Sequence, residues 1–167
     1  MNQSYNVVVN SNLCTPETAI NPNSNKNYYI DWSAVLPQGE YELTYSFMSE
    51  NNVIHTFLNL PLIYVDFLSQ ANIDLCQSSY QASSSTLLGL VFPTNLDPNA
   101  HFAYLRADKN FNPPIHLANR PYSNNFNIRI LNNSNPPTNW VDDSSPTPLD
   151  IGHYVLIFHF RLLKKAV

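Results

Sequence analysis

Tyr41-Glu42-Leu43-Thr44-Tyr45-Ser46-Phe47 is the stretch that decides the fold, because apolar and polar side chains alternate without a break. A period of two places Tyr41, Leu43, Tyr45 and Phe47 on one face of a strand and Glu42, Thr44 and Ser46 on the other. The end of the chain repeats the pattern. Tyr154, Leu156, Phe158, Phe160 and Leu162 share one face, opposite His153, Val155, Ile157, His159 and Arg161. That second face is mixed, which predicts a central strand at least partly covered on both sides.

Working outward, shorter strands are predicted at Tyr5–Val9, Tyr28–Trp32, Val53–Tyr64, Thr86–Phe92, His101–Ala107, Ile115–Leu117 and Phe126–Leu131. Turn-forming segments separate them: 21–27, 36–39, 93–99, 110–114 and 132–148. The last is the longest, carries Pro136, Pro137, Pro146 and Pro148, and reads as an extended surface loop. There is no internal repeat and no convincing helix; 69–85 is the least defined stretch, where Ile73–Cys76 fits one helical turn or a bulged strand. Thirteen prolines against three glycines point to stiff connections. Eight or nine strands in 167 residues predict one all-β domain over 1–167, an antiparallel β-sandwich. The length favours a single jelly roll of about eight strands. An immunoglobulin-like sandwich, which needs only about 100 residues, is the competitor.

Composition bounds the function. Hydrophobic residues make up 44% and aromatics 13%, enough for a core without help from disulfides or metals. Charged residues reach only 12%, about half the usual ~25%. A/T-rich codon usage would raise Lys together with Asn, yet Asn is abundant and Lys is scarce. Desolvating ions is costly, so protein contact surfaces are depleted in Lys, Glu and Asp. A charge-poor, Asn- and Tyr-rich surface therefore suits a protein that lives against neighbours; a neutral surface with no such meaning is the plainer alternative.

The net charge of −4, with no basic run beyond Arg161, Lys164 and Lys165, argues against nucleic acid as a partner. Met1 to Asn12 lacks the features of a signal peptide, and no apolar run is long enough to span a membrane. The expectation is an intracellular, soluble chain. Cys14 and Cys76 form no disulfide framework and lack metal-site spacing; two free buried thiols or a single bridge both stand.

Catalytic patterns are missing. Three glycines exclude the dinucleotide fingerprint and the phosphate-cradling loop, and there is no G-x-S-x-G elbow. His55, His101, His116, His153 and His159 form no His-x-His pair of the kind that faces one metal from a strand. Asp142-Asp143 in a Pro-rich loop reads as a solvated turn. The chain is expected to be no enzyme and to need no metal or cofactor. Trp32 reads as core. Trp140, in the long loop, reads as an anchor for a neighbouring protein, and Arg120 and Tyr122 as further interface candidates. A structural salt bridge or backbone contact is the plainer role for Arg120.

Some segments are familiar. Asn27-Tyr28-Tyr29-Ile30-Asp31-Trp32, Leu36-Pro37-Gln38-Gly39-Glu40-Tyr41 and Leu43-Thr44-Tyr45-Ser46-Phe47 resemble small virion proteins of protist-infecting DNA viruses (giant viruses, virophages and polinton-like viruses). Asn112-Pro113-Pro114-Ile115-His116-Leu117, Arg120-Pro121, Phe126-Asn127-Ile128-Arg129-Ile130-Leu131 and Gly152-His153-Tyr154-Val155-Leu156 are similar to the same group. The resemblance implies a jelly-roll minor capsid protein cementing major capsomers, or a vertex protein, located in the virion and contacting other capsid proteins or itself. It carries over no catalytic residue, and the chain is too short for a double-jelly-roll major capsid protein. The alternative from another class is a lectin-like module or fibre head that binds glycan or a receptor.

Overall fold

Two long strands form the spine of the protein, and their apolar faces are what the sequence alternation demands. The computed structural model describes residues 3–50, 60–68, 86–91, 103–105 (backbone only), 112–132 and 151–167. Strands β1 (Ser4–Asn10), β2 (Asn25–Tyr29), β3 (Gly39–Ser49), β4 (Leu62–Val65), β5 (Leu87–Leu90), β6 (Ala103–Leu105), β7 (Ile115–Leu117), β8 (Asn125–Leu131) and β9 (Tyr154–Lys165) make two antiparallel sheets. The first runs β1-β9-β3-β6, with β7 also on β3; the second runs β2-β8-β4-β5. Since β9 pairs with β3 from Gly39 to Ser49, β6 and β7 share the opposite edge of β3, β6 at Phe47–Ser49 and β7 at Tyr41–Leu43. The first sheet is thus four strand positions wide. The protein is an all-β sandwich.

The faces obey the predicted alternation. Leu43, Tyr45, Phe47, Tyr154, Leu156, Phe158 and Phe160 are all buried, and β9 lies at the centre of its sheet between β1 and β3. Val7 and Val9 of β1 and Phe126, Ile128 and Ile130 of β8 complete the layers. Trp32 is core, as its sequence context suggests, but not on a strand. The strand expected at Tyr28–Trp32 runs from Asn25 to Tyr29, and Trp32 opens a one-turn helix, α1 (Trp32–Val35). Two short 3-10 turns, Ser11–Leu13 and Pro16–Thr18, also depart from the helix-free expectation.

The early start of β2 has a tertiary cause. Asn25-Lys26-Asn27 has poor strand propensity, but Asn127 of β8 donates from Nδ2 to Asn25 Oδ1, Lys26 O and Asn27 Oδ1 at 2.8–3.1 Å. Lys26 itself is buried, its Nζ donating to the carbonyls of Thr18 and Ala19 at 3.0 and 2.8 Å. These bonds satisfy polar groups that a turn would have left to water. Of the other expected elements, 69–85, the turn 93–99 and nearly all of the loop 132–148 lie outside the described residues, as do 53–59 of the strand expected at Val53–Tyr64 and both ends of the one expected at His101–Ala107.

Polar clamps tie the sheets together inside the apolar layer. Tyr45 Oη of β3 donates to Leu90 O of β5 at 2.8 Å, and the carboxamide of Asn112 brackets the same residue, accepting from Leu90 N and donating to Leu90 O. A side chain at Gly89 would run into Tyr45 Oη and Asn112 Oδ1, so only glycine admits this approach. The second clamp joins Tyr28 of β2 to Tyr154 of β9, oxygen to oxygen at 2.6 Å, with both residues buried. Each hydroxyl answers the other. Tyr28→Phe or Tyr154→Phe alone should cost about 1–3 kcal/mol, since each orphans a buried phenol. The double variant should recover much of that loss, because no orphan remains. Denaturant melts of the four proteins test this; strictly additive losses would show that the pair is not coupled.

Candidate interaction surfaces

Two surfaces stand out once the sandwich is built. The first is a groove at the end of the sandwich where the segments 30–36 and 119–125 meet. Four bonds lock these segments: Ile30 N to Asn124 O at 2.8 Å, Trp32 N to Asn124 Oδ1 at 3.3 Å, Trp32 Nε1 to Ser123 O at 3.0 Å, and Arg120 Nη1 to Leu36 O at 2.8 Å. The groove has a volume of about 250 Å³ and is lined by Trp32, Ser33, Gln38, Asn119, Arg120, Pro121, Tyr122 and Asn124. Tyr122 is 63% exposed at its side. Next to it, Ser33 Oγ donates to Asp31 Oδ1 at 2.7 Å; that hydroxyl holds the Asp31 carboxyl below the usual carboxylate range, with a smaller contribution from the Arg120 charge. The structure thus brings Arg120 and Tyr122 to one site and gives Arg120 a backbone contact, one of its two plainer readings, with no salt bridge among the described residues.

The second surface is the outward face of the β1-β9-β3 sheet. The strand registers set its rows: Ser4–Arg161–Glu42, Asn6–His159–Thr44, Val8–Ile157–Ser46 and Asn10–Val155–Met48. Beyond the last of these rows lies Glu50, whose carboxylate accepts from His153 N at 3.0 Å. Within the rows charge is confined to the opposite end. There Arg161 pairs with Glu42 through two bonds of 3.2 and 2.9 Å, and beside it His116 meets Glu40 at 3.4 Å. His159 sits between, its Nδ1 on Asn6 Oδ1 at 2.8 Å and its Nε2 on Ser46 Oγ at 2.9 Å. Burial lowers its pKa and favours the neutral ring. An Nδ1–H donor to Asn6 and an Nε2 acceptor for Ser46 satisfy that form. The other half of the face has no ionisable group in its rows, while Val8 is 61% exposed and Met48 46%.

Trp140, His55, His101, Cys76, Asp142 and Asp143 lie outside the described residues. Cys14 is free and half-buried. His153 is bonded to Ser11 Oγ at 3.2 Å, so His116, His153 and His159 each hold local structure with different partners. Among the described residues no three His, Cys, Asp or Glu side chains gather as metal ligands, and no helix is long and apolar enough to cross a membrane. Sequence reading missed the Val8, Ile157 and Met48 face. Its signal was present in β9, whose second face was mixed, but the neighbours of Ile157 depend on sheet order.

Set against protein-family models and curated proteins, the sequence matches none of them.

Proposed function

We propose that this chain is a structural virion protein, a single jelly roll that occupies a minor capsid or vertex position and packs against capsid neighbours or its own copies, with no catalytic step. The observation that carries the reading is the half-face of the β1-β9-β3 sheet that combines exposed Val8 and Met48 with Ile157 and Val155 and holds no charge in its rows. Such a face can be desolvated without stripping water from ions, which is what contact surfaces require. Strand order supports the jelly-roll part. The last strand lies between β1 and β3 in one sheet, and β8 lies between β2 and β4 in the other, with the chain crossing between the sheets from β1 to β2, β2 to β3, β3 to β4, β5 to β6, β7 to β8 and β8 to β9. Such an order suits the two Greek keys of a jelly roll, an architecture frequent in capsid and lectin domains. The likeness of the strand–turn–strand segments to small virion proteins supplies the setting.

The test is incorporation. The protein should be present in purified particles at a fixed copy number, and Val8→Lys should reduce its incorporation by at least about fivefold, equivalent to ~1 kcal/mol, with an unchanged melting temperature. Wild-type protein absent from particles would end the reading. Full incorporation of the lysine variant would move the contact elsewhere, with Trp140→Ala as the next variant to measure.

A further inference from the structure

The end groove has a chemistry different from that of the sheet face. We propose that it binds a carboxylate-bearing sugar residue, a uronate or a sialate, with Arg120 holding the carboxylate and the surrounding carboxamides and Tyr122 holding the ring. Arg120 uses an Nη1–H on the Leu36 carbonyl, which fixes its head, and among the described residues the other donors of the guanidinium make no hydrogen bond or ion pair. The neighbouring Asp31 carboxylate accepts from the Ser33 hydroxyl and makes no ion pair with Arg120 among the described residues. A guanidinium pinned at one corner, with open donors on the other side, is suited to a carboxylate.

The lining selects for hydroxyl groups. Among the described residues the side-chain amides of Gln38 and Asn119 make no hydrogen bond, and Asn124 uses its Oδ1 and not its Nδ2. Each carboxamide supplies donors and an acceptor, the pattern that vicinal sugar hydroxyls need. Tyr122 flanks these groups with an exposed ring whose apolar body can cover the C–H face of a pyranose while its hydroxyl stays wet. At about 250 Å³ the groove falls below the ~300–1,000 Å³ of sites for drug-sized ligands and suits one ring. A protein anchor is disfavoured, because filling this polar groove with an apolar side chain would strand its amides. The four bonds between 30–36 and 119–125 hold the groove open before any ligand arrives, which reduces the ordering cost of binding.

The proposal is independent of the capsid reading and is tested on the whole chain by NMR titration. Methyl β-glucuronide or a methyl sialoside should saturate, shifting the side-chain amides of Asn119 and Asn124 and the ring of Tyr122. Methyl β-glucoside should bind at least about tenfold more weakly, as expected for loss of one charge-assisted hydrogen bond. Arg120→Gln should lower acid-sugar affinity by a similar factor. Tyr122→Ala, at an exposed position, should weaken binding with a preserved spectrum and so serves even if the arginine variant fails to fold. The proposal is overturned if neither acidic sugar saturates wild-type protein, if the neutral glucoside binds equally well, or if acetate or a glutamate-containing peptide matches the sugars.

Discussion

Trp32→Ala should lower the stability of the protein by about 3–5 kcal/mol, the range for emptying a buried large aromatic site. Trp32 is almost fully buried and touches rings from both layers. Its ring centroid lies 5.1 Å from Phe67, 5.7 Å from Phe126 and 5.7 Å from Phe160. Phe126 belongs to β8 and Phe160 to β9, so the indole fills the space between the sheets at the end where α1 crosses. The variant also removes the Nε1–H from Ser123 O, one of the bonds that hold the end groove. For a chain of this size the loss corresponds to a fall of roughly 10 °C in melting temperature. Trp32→Phe should cost less, since it restores most of the volume and loses the indole N–H. Calorimetry of both variants measures this, and a loss under ~1 kcal/mol for alanine would show that the site collapses without penalty.

The second large effect is alkaline. Burial raises the phenols of Tyr28, Tyr45 and Tyr154 well above the ordinary tyrosine value, and it pushes Tyr41 up to about 12. A phenol whose folded pKa is raised stabilises the native state fully below its unfolded value of ~10, and that contribution is lost as pH climbs toward the folded value. Each of the three most buried phenols should remove about 1.4 kcal/mol per pH unit in that window. Three together remove about 4 kcal/mol per unit, a large share of the usual 5–15 kcal/mol. The protein should therefore unfold cooperatively one to two units above pH ~10, with tyrosinate absorbance from these residues appearing together with loss of the sheet circular dichroism. Gradual ionisation of all ten tyrosines while the sheet signal persists would contradict this.

The all-β class and both spine strands were legible because a period of two is a local property. Tyr41 to Phe47 and Tyr154 to Leu162 alternate so regularly that each strand and its buried face follow from sterics and burial alone. Asn25-Lys26-Asn27 was not legible as a strand. Its support comes from the Asn127 carboxamide, a hundred residues away, and from loop carbonyls that receive the Lys26 ammonium. Trp32 was recognisable as core from its place after the Tyr28–Asp31 stretch, but its place on a helical turn depends on Ser123 and Asn124 accepting its N–H groups.

The same division runs through the surfaces. Composition alone established that the chain has few charges, and a low charge density is a property of the whole sequence. Where the uncharged area collects was decided by sheet order, because Val8, Ile157 and Ser46 become one row only when β9 lies between β1 and β3. Arg120 and Tyr122 could be singled out as a pair by their closeness in sequence. That they share a groove with Ser33 and Gln38, more than eighty residues earlier, was set by bonds such as Arg120 to the Leu36 carbonyl. Local periodicity fixes which face of a strand is apolar; long-range hydrogen bonding and strand order fix which residues meet.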